Sequence, residues 1–484
     1  MMRGKAVFLV ILALLVGLVY LIGTRTRDAH VVPKPKAEEP AEASAPGTHT
    51  ANEAGAAIPE TPSTDGGGAP DAHAGLMDRP LRVVASSWEL AASLLVANGG
   101  KTTADGSVFR ERRLEAQVDV ATSEADVENR LARGGADAEG ADVAVVPLPA
   151  LVASYERIRA LEPEVLRLVG WSRGREVLFG TKDAVLARPG VFPGDVTVIA
   201  DDASAEALAL FALDEAGTLA AKVHFVKDAK DAPLAAVARP IPGDRSGAAP
   251  SKIELTTADA SRLVPLVAVA SRGFVEGHPQ VVVELLRAWG AGRATLRKDV
   301  PAAARRIASE EGAPQPAEVL ERIAWVDDPD APAQANVAGA LGDEARAVSR
   351  MFEREWRLFR DAGVLVTPMP PIESVVVVEK VGAGTHGDAG RPPPPPPAAD
   401  PTAHVLLAHR VPKGDAEAVA TDVALLAEVF PRSGLRITGK PSSLAQAAAA
   451  AATDAHGVKS DRLVVAPGTL AGADVALVEV LAAP

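Results

Sequence analysis

The 484-residue chain has no cysteine. That excludes disulfides, thiolate nucleophiles, cysteine-ligated zinc, iron–sulfur clusters and a lipid-modified cysteine anchor. Aromatic residues are scarce, at 4%, so the cores have to be built from Val, Leu, Ile and Ala. Positive charge is in deficit: 50 Lys and Arg face 63 Asp and Glu, a net charge of −13. Nucleic acid is therefore not expected as a partner, because backbone phosphates attract clustered cations. No G-x-S-x-G, H-E-x-x-H, Walker or dinucleotide motif occurs, and neither an enzyme activity nor a cofactor is expected. What is present, 48% hydrophobic and 23% charged residues, suits a folded protein of about two to three domains.

Only one stretch is long and apolar enough to span a bilayer. Ala6 to Gly23 is uncharged over eighteen residues, about 27 Å as a helix. It ends in Gly23-Thr-Arg-Thr-Arg27 without a small-x-small cleavage site, so residues 1–27 are expected to form an uncleaved signal anchor, with a cleaved signal as the alternative. Arg3 and Lys5 before the span face Arg25 and Arg27 after it, a balance that tips toward a cytoplasmic N-terminus and places everything after Arg27 on one side of the membrane. Residues 28–80 are crowded with Ala, Pro, Glu, Gly and Thr, a composition that buries too little surface to offset its ordering entropy. A second linker is expected over 382–401, where Pro392 to Pro397 form a stiff polyproline spacer. Folded domains are thus expected over 81–381 and 402–484.

The larger domain alternates strand and helix patterns. Strands are expected at Leu81–Ala85, Leu114–Val120 and Asp142–Val146, and helices at Glu89–Ala97 and Ser123–Arg133, with Ser123 as N-cap. Continuously apolar strands covered by helices predict a parallel sheet. The pattern restarts after Glu176–Phe179. A strand is expected at Val196–Ala200, a helix at Ser204–Ala216 capped by Ser204, a strand at Lys222–Val226 and a helix at Ala232–Ala238. Leu266–Ala270 would return to the first sheet, and the helices Pro279–Leu296, Val300–Glu310, Pro316–Ile323 and Glu344–Asp361 would finish the domain.

Leu81–Ala85, Phe109-Arg-Glu-Arg-Arg-Leu-Glu-Ala-Gln-Val118, Gly140-Ala-Asp-Val-Ala-Val-Val146 and Ser271-Arg-Gly-Phe-Val-Glu-Gly-His-Pro279 through Trp289 together resemble the nitrate/sulfonate/taurine type of periplasmic substrate-binding protein. The resemblance implies an α/β, two-lobed periplasmic-binding-protein-like fold (type II), a small-molecule ligand between the lobes, and an ABC permease as partner. Two-lobed α/β proteins bind at the carboxyl ends of their strands, where helix N-termini present free N–H groups. That reasoning selects Ser86, Ser87 and Trp88 after the first strand, Pro147 at the end of the strand in the G-x-x-D stretch, and Asp202 and Ser204 in the second lobe. Two hydroxyls and an indole suit a small polar or anionic ligand. Taken singly, the serines also read as helix caps and Trp88 as packing. Pro240 to Pro250 forms a loop where that family has a buried strand, which would cost the second lobe ligand contacts.

Residues 402–484 show a β-α-β-α-β-β order, and Leu435-Arg-Ile-Thr-Gly439 with Gly457-Val-Lys-Ser-Asp-Arg-Leu463 is similar to the OmpA-like, small α+β peptidoglycan-associated domain. That family holds its cell-wall ligand with an Asp after the Gly-His and an Arg on the second helix. Here those stretches read Gly439-Lys-Pro-Ser442 and Ala447 to Ala452, with no acid and no arginine, so a degenerate module that does not bind peptidoglycan is expected. Asp327-Asp-Pro-Asp330 lacks a calcium-loop spacing and reads as a solvated turn. Trp289, Trp325 and Trp356 read as core. The expectation is a membrane-tethered periplasmic solute-binding protein. Its rival is a non-catalytic envelope scaffold that has lost both ligand chemistries.

Overall fold

The computed structural model describes residues 75–180, 186–188, 190, 192, 194–227, 232–239, 252–327, 340–376, 398–468, 470 and 474–483. The expected membrane helix at 6–23, most of both linkers, the 240–250 loop and 328–330 lie outside the described residues. Among the described residues no helix is long and apolar enough to cross a membrane.

From the first described residues the chain runs β1 (Leu81–Ala85), α1 (Trp88–Asn98), α2 (Val108–Glu111), β2 (Ala116–Val120), α3 (Glu124–Arg133), β3 (Val143–Pro147), α4 (Leu148–Ile158) and β4 (Pro163–Ser172). It then enters a second lobe with β5 (Glu176–Gly180), β6 (Val196–Ala200), α5 (Ala203–Glu215), β7 (Val223–Val226), β8 (Leu234–Ala238) and β9 (Lys252–Thr256). It returns as β10 (Pro265–Ser271), followed by α6 (Arg272–Gly277), α7 (Pro279–Lys298), α8 (Val300–Ile307), α9 (Pro316–Ile323), β11 (Val326–Asp327) and α10 (Ala340–Asp361). The C-terminal part consists of β12 (Val405–Val411), α11 (Ala416–Val429), β13 (Gly434–Gly439), α12 (Ser442–Asp454), β14 (Leu463–Val465) and β15 (Ala476–Leu481).

Sheet order is β11-β4-β10-β3-β1-β2 in the first lobe and β7-β6-β8-β5-β9 in the second. The expected all-parallel sheet is corrected to a mixed one. β1 runs parallel to β2 and β3, but β10 is antiparallel to both β3 and β4. The reason is the route of the chain: β4 leaves the first lobe and β10 comes back to it, so the middle of the sheet is filled by strands of opposite sense. In the second lobe Ala232–Ala238 was expected to be helical. Residues Leu234–Ala238 instead form β8, wholly buried between β6 and β5. Alanine's helix propensity is worth only tenths of a kcal/mol per residue, and a central sheet position overrides it.

The helices fix the faces. Ser123 caps α3 through its Oγ, which accepts from Asp126 N at 3.2 Å. Pro279 opens α7 at its first turn. α1 and α7 cross closely at Gly292, where an added Cβ would collide with Ser93 O. Trp289 and Trp356 are almost fully buried.

The third sheet, β12-β15-β13-β14, belongs to the C-terminal domain. β13 and β14 are parallel and bridged by α12, while β15 runs antiparallel between β12 and β13. This domain packs directly on the second lobe. Phe430 meets Phe211 of α5 with ring centroids 5.9 Å apart, and Ala408 N donates to Leu186 O at 3.0 Å. Glu215, the last residue of α5, pairs with Arg354 of α10 and lies 2.7 Å from Nδ1 of His409 on β12.

Candidate ligand cleft and its hinge

Two crossovers join the lobes: β4 to β5 through Arg173-Gly-Arg175, and β9 to β10 through 257–264. Gly174 has φ +78°, the left-handed region that glycine adopts without penalty. The crossovers are tied to each other. Thr257 Oγ1 accepts from Gly174 N at 2.8 Å and donates to Glu176 Oε2 at 3.0 Å. Ser172 Oγ donates to the same carboxylate oxygen. The Glu176 side chain is fully buried, and its second oxygen is taken by Arg175 Nη1 at 2.7 Å. A buried carboxylate bonded on both oxygens is tolerated, and it fixes the geometry around it.

Arg175 extends from this hinge into the space between the lobes. Its Nε lies 3.3 Å from Glu89 Oε1 in the first turn of α1, and its Nη2 lies 3.1 Å from Asp202 Oδ2, the cap of α5. Burial opposes its charged form, but Asp202, Glu176 and Glu89 outweigh burial and raise its pKa further. Arg322 of α9 places a second guanidinium 3.8 Å from Glu89 Oε2.

Glu124, the first residue of α3, reaches across the lobes to accept from Ala203 N at 3.4 Å. Burial, and then the charge of Asp202, push its carboxyl up to about 7. Glu206 in the first turn of α5 is pushed up to about 7 for the same two reasons. Three helix N-termini therefore meet here, and each already carries a carboxylate in its first turn or cap. Such carboxylates complement the helix dipole and occupy the place an external anion would take. Among the described residues, the carboxyl groups of Glu89, Glu124, Glu176, Asp202 and Glu206 gather around the guanidinium groups of Arg175 and Arg322, and Arg322 is also paired with Glu318 at 2.7 Å.

The residues selected from sequence fall around this cluster. Ser86 N donates to Val145 O at 2.9 Å, which sets it beside the end of β3. Pro147 closes β3 opposite Leu266 of β10. Ser87 occupies the cap position of α1, but its side chain makes no cap bond. Trp88 is buried, and Lys101 Nζ sits 5.4 Å from its ring centroid, so a first-lobe lysine already uses the indole face. In the second lobe Asp202, not Ser204, caps α5, accepting from Ala205 N at 2.8 Å. Ser204 lies one residue inside the helix and is fully buried. Asp202 holds the extended N-cap position at the helix boundary, and a hydroxyl within the first turn cannot replace it. Neither Ser87 Oγ nor Ser204 Oγ has a hydrogen-bond partner among the described residues.

Sequence reasoning missed Arg175, Glu89, Glu124 and Glu206. The one local signal was Gly174 between two strand-like runs; the rest are charged residues at helix starts, where they read as solvated first turns. A cavity of about 210 Å³ lies between α3 and α4, lined by Ala144, Val146 and Leu151 with Glu124, Ser154 and Arg157. It is smaller than most small-molecule sites, which measure ~300–1,000 Å³.

No protein-family model matches the chain, and no curated protein does. Solved structures similar to it include the alkanesulfonate-binding protein SsuA from Xanthomonas axonopodis pv. citri bound to MOPS, at 14% identity and a TM-score of 0.42, covering 62% of this chain and 97% of that one. Another is the periplasmic aliphatic sulphonate binding protein SsuA from Escherichia coli, at 11% identity and a TM-score of 0.41, covering 60% and 93%. The periplasmic nitrate-binding protein NrtA from Synechocystis PCC 6803 matches at 12% identity and a TM-score of 0.38, covering 64% and 92%.

Proposed function

We propose that the chain is a non-catalytic, two-lobed solute-binding protein of the cell envelope. In this reading residues 6–23 tether it to the inner membrane, an ABC permease is its partner, and it binds a small cationic solute, an amine or a guanidinium, between the lobes. The observation that carries the ligand class is the cluster on Arg175: with both guanidinium groups in place, carboxylates are still in excess. An anion would meet helix N-termini already complemented by the protein's own acids. A cation would instead complete the ionisation of Glu124 and Glu206, which burial and the charge of Asp202 raise to about 7. Ser87 and Ser204 supply the neutral polar atoms. The C-terminal domain is read as a degenerate OmpA-like module with a structural role, and retention on peptidoglycan is not expected.

A second reading is favoured by one observation: Arg175 itself fills the space between the helix starts. On that view the cleft takes no solute and the chain is an envelope scaffold. Thermal shift against a panel of small amines and guanidines separates the two. A ligand at 100 times its Kd adds about 2.7 kcal/mol, and the shift should be lost in Glu206→Gln. A panel without any shift selects the scaffold. Shifts that persist in both Glu206→Gln and Asp202→Asn overturn the assignment of the site.

A further inference from the structure

A groove of about 590 Å³ runs between α10 and the C-terminal domain, built from other residues than the cleft. We propose that it is a second binding site, for a small multivalent anion such as a phosphate ester or a polycarboxylate. Arg350 of α10 lines one side, and His456, Lys459 and Arg462 of the C-terminal domain line the other. Glu428 is the one acid among the lining residues, and it is already paired with Arg350 at 2.6 Å.

Arg462 is the buried member of this set. Its donors go to the main-chain oxygens of Ala427, Phe430 and Ser433, at 2.7 to 3.2 Å. Those acceptors are neutral, and the guanidinium has no carboxylate within ion-pair distance among the described residues; burial lowers its pKa and the charge of Asp461 opposes that. Lys459 also makes no ion pair among the described residues. His456 Nε2 is 3.2 Å from Glu417 Oε1. A local excess of cations in a chain of net charge −13 attracts anions to this groove, and its volume is that of a small-molecule site. Because Arg350 comes from α10 and the other cations from the C-terminal domain, the site is complete only when the two are docked, and an occupant would strengthen that docking.

Titration calorimetry on the full chain, with inorganic pyrophosphate and separately with citrate at constant ionic strength, tests this. One saturable site is expected. Lys459→Gln and Arg350→Gln should each weaken it about tenfold or more, the loss of one charge-assisted hydrogen bond. Arg350 is 48% exposed and Lys459 is exposed, so the variants are expected to keep the wild-type thermal midpoint. Binding of pyrophosphate alone supports a phosphoryl ligand, and binding of both probes supports a general polyanion site. A wild-type chain that binds neither, or variants that bind like wild type, overturn the proposal. Neither result touches the amine panel, which reads the cleft.

Discussion

Arg175 Nε, on the crossover between the lobes, stands 3.3 Å from Glu89 Oε1 in the first turn of α1. Hinge and first lobe are thus joined by a buried ion pair, and through Asp202 the same guanidinium reaches the second lobe. Removing one member leaves the others charged and out of water. Breaking a buried pair in this way typically costs ~3–5 kcal/mol. Arg175→Met is expected to lower the thermal midpoint strongly and to expand the chain in small-angle scattering. Arg175→Lys should recover only part, because an ammonium cannot address three carboxylates with a planar fork. A methionine variant of wild-type stability and size would show that the cluster does not hold the lobes together.

The same cluster sets a pH dependence. Glu124 and Glu206 titrate at about 7 in the folded chain, against an ordinary value of 4.5. The folded form therefore binds more protons than the unfolded form across that interval, and stability falls as pH rises through it. Glu355, raised by burial, adds in the same direction. The thermal midpoint at pH 5.5 should exceed that at pH 8, and Glu206→Gln should flatten the slope. A midpoint that climbs over the same interval contradicts the assignment. If an amine binds, these carboxyls ionise, so binding should release protons, measurable as a dependence of the calorimetric heat on buffer.

Docking of the C-terminal domain rests on an aromatic contact and a charged one. Phe211 and Phe430 are both fully buried, and His409 lies between Glu215 at 2.7 Å and Asp422 at 3.4 Å. Phe430→Ala should cost ~3–5 kcal/mol. A double-mutant cycle with Phe211→Ala should show a coupling of ~0.5–1.5 kcal/mol, as expected for rings in contact. Zero coupling would mean that the domain swings free of α5.

What the sequence revealed depended on how local the cause was. Ser123 as a cap, Pro279 at a helix start and the strand expected at Asp142–Val146, found at Val143–Pro147, follow from neighbouring residues. The return of Leu266–Ala270 to the first sheet was also legible, because a fully apolar run needs cover on both faces. Leu234–Ala238 was not, since its alanines favour helix unless a sheet closes around them. The long strand Pro163–Ser172 and the strand Lys252–Thr256 were passed over as well; the second mixes polar residues with a weak alternation. Around the cluster, Ser86 and Asp202 were selected by position after a strand. Arg175 was not: Glu176 is its chain neighbour, but Glu89 and Asp202 come from separate stretches that no spacing in the sequence links to it.

Gly292 offers a last test, linking helix packing to the cleft. In a helix interior Gly→Ala normally gains up to about 1 kcal/mol. Here the added Cβ would collide with Ser93 O and approach Ala97 Cβ to 2.6 Å. The obstacle includes α1 backbone, which cannot rotate away as a side-chain tip can, so overpacking of ~1–3 kcal/mol outweighs the propensity gain. Gly292→Ala is expected to lower stability in urea, whereas an alanine at the exposed Gly273, which meets no atom within 4 Å, should not. Displacing α1 also shifts its first turn and with it Glu89, so the pair with Arg175 should weaken. The pH 5.5 to pH 8 difference in midpoint should change in the same variant. A stabilised Gly292→Ala would show that α1 and α7 are not packed this closely, and the placement of Glu89 against the hinge would fall with them.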